Sequence, residues 1–148
     1  GDVLTGTQLT EERPFLPMSC DQITIIPDGS DRDELLGWAM PRLGDFSQSR
    51  TYLSWLMPRK RYTLDARLKG GKRAMIMSHE LQSVFPLDIY AEYLLKAIIA
   101  FDIDKMEELG IYEVAPEDFA LCEFVDTSKM ELQRIVRQGL DQLYKEMN

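Results

Sequence analysis

The stretch DIYAEYLLKAIIAF, residues 88–101, is apolar around most of a helical circumference, and after Asp88 only Glu92 and Lys96 interrupt it. A helix with that pattern is stable in water when other elements surround it. Crossing a bilayer takes ~20 apolar residues, and the run around Tyr93–Phe101 is much shorter and broken by Lys96. The segment therefore predicts a core helix and requires neighbours that enclose it.

The flanking sequence supplies them. Ser78 can cap HELQSVF, which Pro86 then ends, because proline disfavours the α conformation in the residue before it. In DIDKMEELG, Asp102 is placed as a cap and Gly110 as a stop, and Pro116 suits the first position of another short helix. Ser128 and Glu131 have capping-box spacing, followed by Leu132, Ile135, Val136, Leu140, Leu143, Tyr144 and Met147 at i, i+3, i+4 intervals. Residues 73–148 thus read as a bundle of four or five helices. Residues 1–72 read as short strands and irregular connections. Segments 2–9 and 22–27 (QITIIP) are β-branched, and PDGSD closes the second. DRDELLGW at 31–38 suggests a helical turn, Pro41, Gly44 and Ser47 break the pattern, and Leu53, Trp55, Leu56 and Met57 fit strand and helix equally until Pro58. The expected fold is α+β, predominantly α: a short N-terminal β element followed by a C-terminal helical bundle.

A chain of 148 residues, 45% hydrophobic, buries about two-thirds of its extended surface as one domain. Two distant cysteines, Cys20 and Cys122, make no disulfide framework and point to a reducing compartment. No signal peptide is expected ahead of Gly1, and a start without methionine, in GDVLTGTQL, reads as a piece of a longer chain.

The net charge of −8 is uneven. Residues 1–72 balance ten Lys/Arg with ten Asp/Glu, whereas residues 73–148 set seven against fifteen. Such an acidic chain lacks the broad basic surface that nucleic acid requires. One strip runs the other way: RKRYTLDARLKGGKR, residues 59–73, has seven basic side chains and one acid, Asp65. Charge runs usually mean a solvated loop, but a strip like this can also dock on an anionic surface or an acidic partner.

Catalytic motifs are scarce. His79 is the chain's one histidine, and HELQS lacks the second histidine of a zinc HExxH. Cys122, in FALCEFV, could be a ligand, a nucleophile or a core residue. Nearby acids would raise its pKa, which favours core packing. No CxxC or EF-hand spacing occurs. Asp102, Asp104, Glu107 and Glu108 suit helix starts. GGKR at 70–73 lacks the remainder of a phosphate loop, and Met75, Ile76 and Met77 read as core filling.

GGKRAM (70–75), FPLDI (85–89), LLK, DID (102–104), LG (109–110) and EDFALCEFV (117–125) nevertheless occur in an order that resembles the C-terminal part of the A subunit of the sodium-translocating NADH:quinone reductases. GDVLTG (1–6) and GW (37–38) extend the resemblance over nearly the whole chain. It implies a peripheral subunit on the cytoplasmic side of a bacterial inner membrane, within a six-subunit sodium pump whose flavins and iron–sulfur centres belong to other subunits. It also implies a fold similar to the NADH-binding subunit of complex I, in which the corresponding bundle holds a four-cysteine cluster. With one cysteine in this region the bundle would keep its helices without the cluster. Many members of the family place a second cysteine four residues after the first, where this chain has Asp126.

Two roles follow as expectations. In the first, the chain has no cofactor or catalytic residue of its own and serves assembly, with Arg59, Lys60 and Arg61 docking on other subunits of the complex, including a membrane subunit. In the second, Trp55, Met57 and Phe85 contribute an apolar quinone pocket, in keeping with the association of ubiquinone with the intact subunit.

Overall fold

A computed structural model describes residues 1–29 and 43–147. The helical turn expected at 31–38 lies outside these residues, as does Pro41. The described chain is predominantly helical, with four α-helices: α1 (Ala91–Ala100), α2 (Ile103–Glu108), α3 (Ala120–Val125) and α4 (Leu132–Glu146). Three-residue-per-turn segments occur at Leu53–Leu56, Ile111–Glu113 and Pro116–Phe119.

Each junction in the bundle has a local cause. Phe101 adopts the left-handed conformation (φ 54°), and the N–H groups of Phe101 and Asp102 return to the Ile98 and Ala97 carbonyls, closing α1. Asp102 then caps α2 by accepting a hydrogen bond from the Lys105 N–H, and Gly110 at φ 84° turns the chain out of α2. Pro116 opens the next turn as expected, with the Asp118 carboxylate accepting from the Ala115 N–H at 2.8 Å. The interior lies between these elements. Leu94, Leu95, Met106, Ile111, Phe119, Leu132 and Val136 are fully buried, and the Phe85 and Phe119 rings meet at 4.7 Å. Where α1 and α4 pack together, Gly139 gives Ile98 the room it needs.

Several expectations need correction. Met75 packs against the core as read, but Ile76 and Met77 are exposed, and Glu107 and Glu108 fall in the last turn of α2 rather than at its start. HELQSVF forms a single turn, closed by Ser83 N–H to His79 O and Phe85 N–H to Leu81 O. His79 stands at φ 60°, which denies Ser78 a helix to cap, and Pro86 leaves no room to propagate. The turn still organises the bundle, because Gln82 accepts from the Ala91 N–H and donates to the Ile89 carbonyl, holding the entry to α1.

The Ser128–Glu131 capping box does not form either. The Asp126 carboxylate takes the N–H groups of Ser128 and Met130, which delays helix formation until Leu132. The cap on α4 comes from α3, where Glu123 Oε2 accepts from the Gln133 N–H at 2.9 Å.

The expected N-terminal β element is absent from the described residues, where one isolated bridge joins Thr10 and Arg13. Asp2 accounts for part of this: its carboxylate accepts from the N–H groups of Leu4 and Thr5, curling 2–6 into a turn. Segments 1–6 and 22–24 still lie together, joined by the Gly1 ammonium to Gln22 O and the Thr24 hydroxyl to Gly1 O. No ladder follows, and Ile25 is 91% exposed.

Finally, α1 is enclosed on one side only. Ala91, Leu94, Leu95 and Ile98 are buried, Tyr93 and Ile99 face outward, and Glu92, expected as a polar interruption, is buried among the core residues.

Candidate docking surface

The basic strip divides into two populations. Arg67 pairs with Asp65 at 2.7 Å, Lys69 with Asp45 at 2.7 Å, and Lys72 with Glu131, while the Arg73 guanidinium donates to Thr127 O. Lys60 is half-buried and its ammonium donates to Leu43 O. Arg59 and Arg61 are exposed and form no ion pair among the described residues. Four of the seven cations, Lys60, Lys69, Lys72 and Arg73, therefore fasten the strip to the rest of the molecule, Arg67 pairs with Asp65 inside the strip, and two face outward. The pairing shows in the acids. The Arg67 guanidinium, helped by the charge of Lys69, holds the Asp65 carboxyl below its ordinary value. The hydrogen bond from Lys72, and then the Arg134 charge, do the same for Glu131.

Just upstream of Arg59 is an apolar turn. Tyr52 enters Leu53–Leu56 in extended conformation, Met57 N–H bonds to Ser54 O, and Lys60 N–H bonds to Met57 O, so two tight turns follow in succession. Ser54 points inward and is buried. Leu53, Trp55, Leu56 and Met57 are 51%, 50%, 59% and 42% exposed, so four apolar side chains project from one turn. On either side of this turn the chain meets α3 through Phe46, which packs edge-on against Tyr62 and stacks on Phe124 at 5.7 Å.

Trp55 and Met57 lie on this surface, whereas Phe85 is in the core against Phe119; the three share no pocket. A cleft of about 550 Å³ lies elsewhere, between Ile98, Ile99 and Phe101 on one side and Ile135, Gln138 and Lys145 on the other. A smaller one, about 230 Å³, is edged by Asp88, Glu108 and Glu113.

Cys122 is fully buried and its Sγ donates to Leu81 O at 3.4 Å. Burial pushes its thiol up to about 12, with the nearby charges of Glu92 and Asp126 acting in the same direction. A thiol so far from ionisation is a poor nucleophile. His79 lies on the surface. Among the described residues no three His, Cys, Asp or Glu side chains form a group that could hold a metal ion, and no helix is long and apolar enough to cross a membrane.

Two features have no local sequence signature. Glu123 acts across helices, and nothing in its immediate sequence marks it as a cap for α4. Glu92 keeps one carboxylate oxygen buried and unpartnered among the described residues.

No protein-family model matches the chain. Among curated proteins, it is similar over 146 residues, 99% of its length, to the A subunit of the Na(+)-translocating NADH-quinone reductase of Vibrio atlanticus (strain LGP32), at 37% identity. The proteins of the same name from Yersinia pestis bv. Antiqua (strain Angola) and Rhodopirellula baltica are each 36% identical over the same length. In each case the match covers 32% of the relative, its C-terminal part, so the chain spans about a third of the proteins it resembles.

Proposed function

We propose that this chain, which matches the C-terminal third of the A subunit of Na(+)-translocating NADH-quinone reductases, serves in assembly and docking of such a complex. The complex would couple NADH oxidation and quinone reduction to sodium export. The protein would lie peripherally on the cytoplasmic side of a bacterial inner membrane, in contact with the other subunits of the complex, including a membrane subunit. This part of it would be a cofactor-free bundle, comparable to the cluster-bearing bundle of complex I. Packing supports that reading, since a continuous apolar core joins the turn at Leu81–Phe85 to all four helices.

The observation that carries the docking role is the division of the basic strip, which leaves Arg59 and Arg61 facing outward from a segment fastened elsewhere. Reversing the charge of Arg59 and Arg61 to glutamate in the intact subunit, with Lys60 kept to hold Leu43 O, should reduce its co-purification with the remaining subunits. Undiminished assembly would refute the role given to these residues. Quinone binding here would need residues other than Trp55, Met57 and Phe85 acting together, because Phe85 is held in the core.

A further inference from the structure

We propose that the Leu53–Met57 turn, with Arg59 and Arg61 beside it, is an interfacial anchor that inserts into a bilayer rich in anionic phospholipid. The proposal deepens the peripheral placement above and rests on it: the two arginines read lipid phosphate, and they serve assembly by holding the subunit at the membrane beside its partners.

Charge is the first argument. Residues 46–64 contain Arg50, Arg59, Lys60 and Arg61 and no acid, and residues 46–79 contain eight Lys/Arg against Asp65 alone, in a chain of net charge −8. An anionic surface would repel most of this molecule and attract this segment, so the field orients it. Among the described residues, the acids nearest this segment in sequence, Asp45 and Asp65, are engaged with Lys69 and Arg67.

Shape is the second. Neither cleft described above is lined by residues 53–61, so the segment offers no concave site for a small ligand. Here the apolar groups protrude: four of five consecutive side chains stand about half out of the surface while Ser54 holds the turn from beneath. A tryptophan and three aliphatic groups next to outward arginines are the chemistry of an interfacial insertion, with rings and chains at the acyl boundary and guanidinium groups among the phosphates. The two successive tight turns at Ser54–Lys60, flanked by Phe46 and Tyr62 in contact with each other and with α3, leave little ordering for the membrane to impose.

The chain should co-sediment with phosphatidylcholine vesicles containing about one-third phosphatidylglycerol and bind pure phosphatidylcholine at least about tenfold more weakly. Arg59→Gln and Arg61→Gln should each weaken binding about fivefold. Trp55→Ser with Leu56→Ser should weaken it comparably while leaving the circular dichroism spectrum unchanged. With Trp38→Phe as background, emission from Trp55 should shift to the blue on binding. Equal binding to both vesicle types, or binding indifferent to both pairs of substitutions, would overturn the proposal. Failure to bind any vesicle, combined with loss of assembly on charge reversal, would overturn it while sustaining the docking role and would make this patch a protein interface. Vesicle binding that depends on these residues, together with undisturbed assembly, would sustain the anchor and remove the docking role.

Discussion

Gly139 of α4 faces Ile98 of α1 so closely that a β-carbon at position 139 would stand 2.7 Å from Ile98 Cγ2. Ile98 is 5% exposed and branched at Cβ, so its methyl group cannot swing aside. Gly139→Ala gains about 1 kcal/mol of helix propensity and incurs overpacking of about 1–3 kcal/mol. The net expectation is a loss of about 1 kcal/mol, read as a melting temperature lower by ~2–4 °C. Ile98→Ala in the same chain should relieve the clash, so the double variant costs less than the two single changes added.

Glu123→Ala removes the carboxylate that receives the Gln133 N–H. The expected loss is about 1 kcal/mol, the usual scale for an N-terminal cap, and Glu123→Gln should recover part of it because its amide oxygen can still accept. Hydrogen exchange in the first turn of α4 should quicken selectively in the alanine variant. Uniform quickening across the bundle would contradict a local capping role.

Thiol chemistry should separate the two cysteines. Cys20 is partly exposed and Cys122 is sealed against Leu81 O with its ionisation pushed up to about 12. A disulfide reagent at mildly alkaline pH should modify one cysteine promptly and the second at the rate of unfolding. A chelator should leave the melting temperature unchanged, and a drop would reveal a metal within the bundle.

Glu131 predicts an acid limb in the stability profile. The Lys72 hydrogen bond lowers its carboxyl below the ordinary value of 4.5 in the folded state. A depressed carboxylate stabilises the fold above its unfolded pKa, and that contribution disappears as pH falls through the folded value. Lys72→Met should therefore be less stable than the parent at neutral pH, by under ~1 kcal/mol for so exposed a pair. The two should converge as the pH drops well below 4.5. Denaturant titrations at both ends of this window decide it, and a constant gap would exclude the linkage.

Glu92→Met should raise stability. A buried carboxylate oxygen without a partner carries a desolvation penalty that an apolar side chain of similar length avoids, on the order of 1–2 kcal/mol. A lower melting temperature instead would mean that water or another group satisfies this oxygen.

What the sequence disclosed follows the range of the interactions. Asp102, Gly110 and Pro116 were legible because each acts on backbone groups within three or four residues of itself. The Ser128–Glu131 pattern misled because Asp126, two positions before Ser128, competes for the same N–H groups, and Glu123 reaches α4 from another helix. Segments 2–9 and 22–27 had strand-like composition, but pairing depends on a distant partner, and the Asp2 turn uses donors that a ladder would need. The basic strip was visible as composition. Which of its cations remain outward depends on Asp45, Thr127 and Glu131, which are far along the chain from the groups they hold. Burial of Glu92 could not be anticipated, since periodicity alone placed it among the polar interruptions of α1.

The helices succeed one another without interruption by other domains between residues 91 and 146, and this bears on how quickly the molecule reaches its native state. Contacts among neighbours in sequence need little loop closure and form early. The hydrogen bond from Gln133 Nε2 to Leu4 O spans 129 residues and has to wait until α4 exists to receive the N-terminal segment. Refolding should thus show a fast phase in helical signal and a slower one, reported by probes near Leu4, as the leading segment settles onto a finished scaffold.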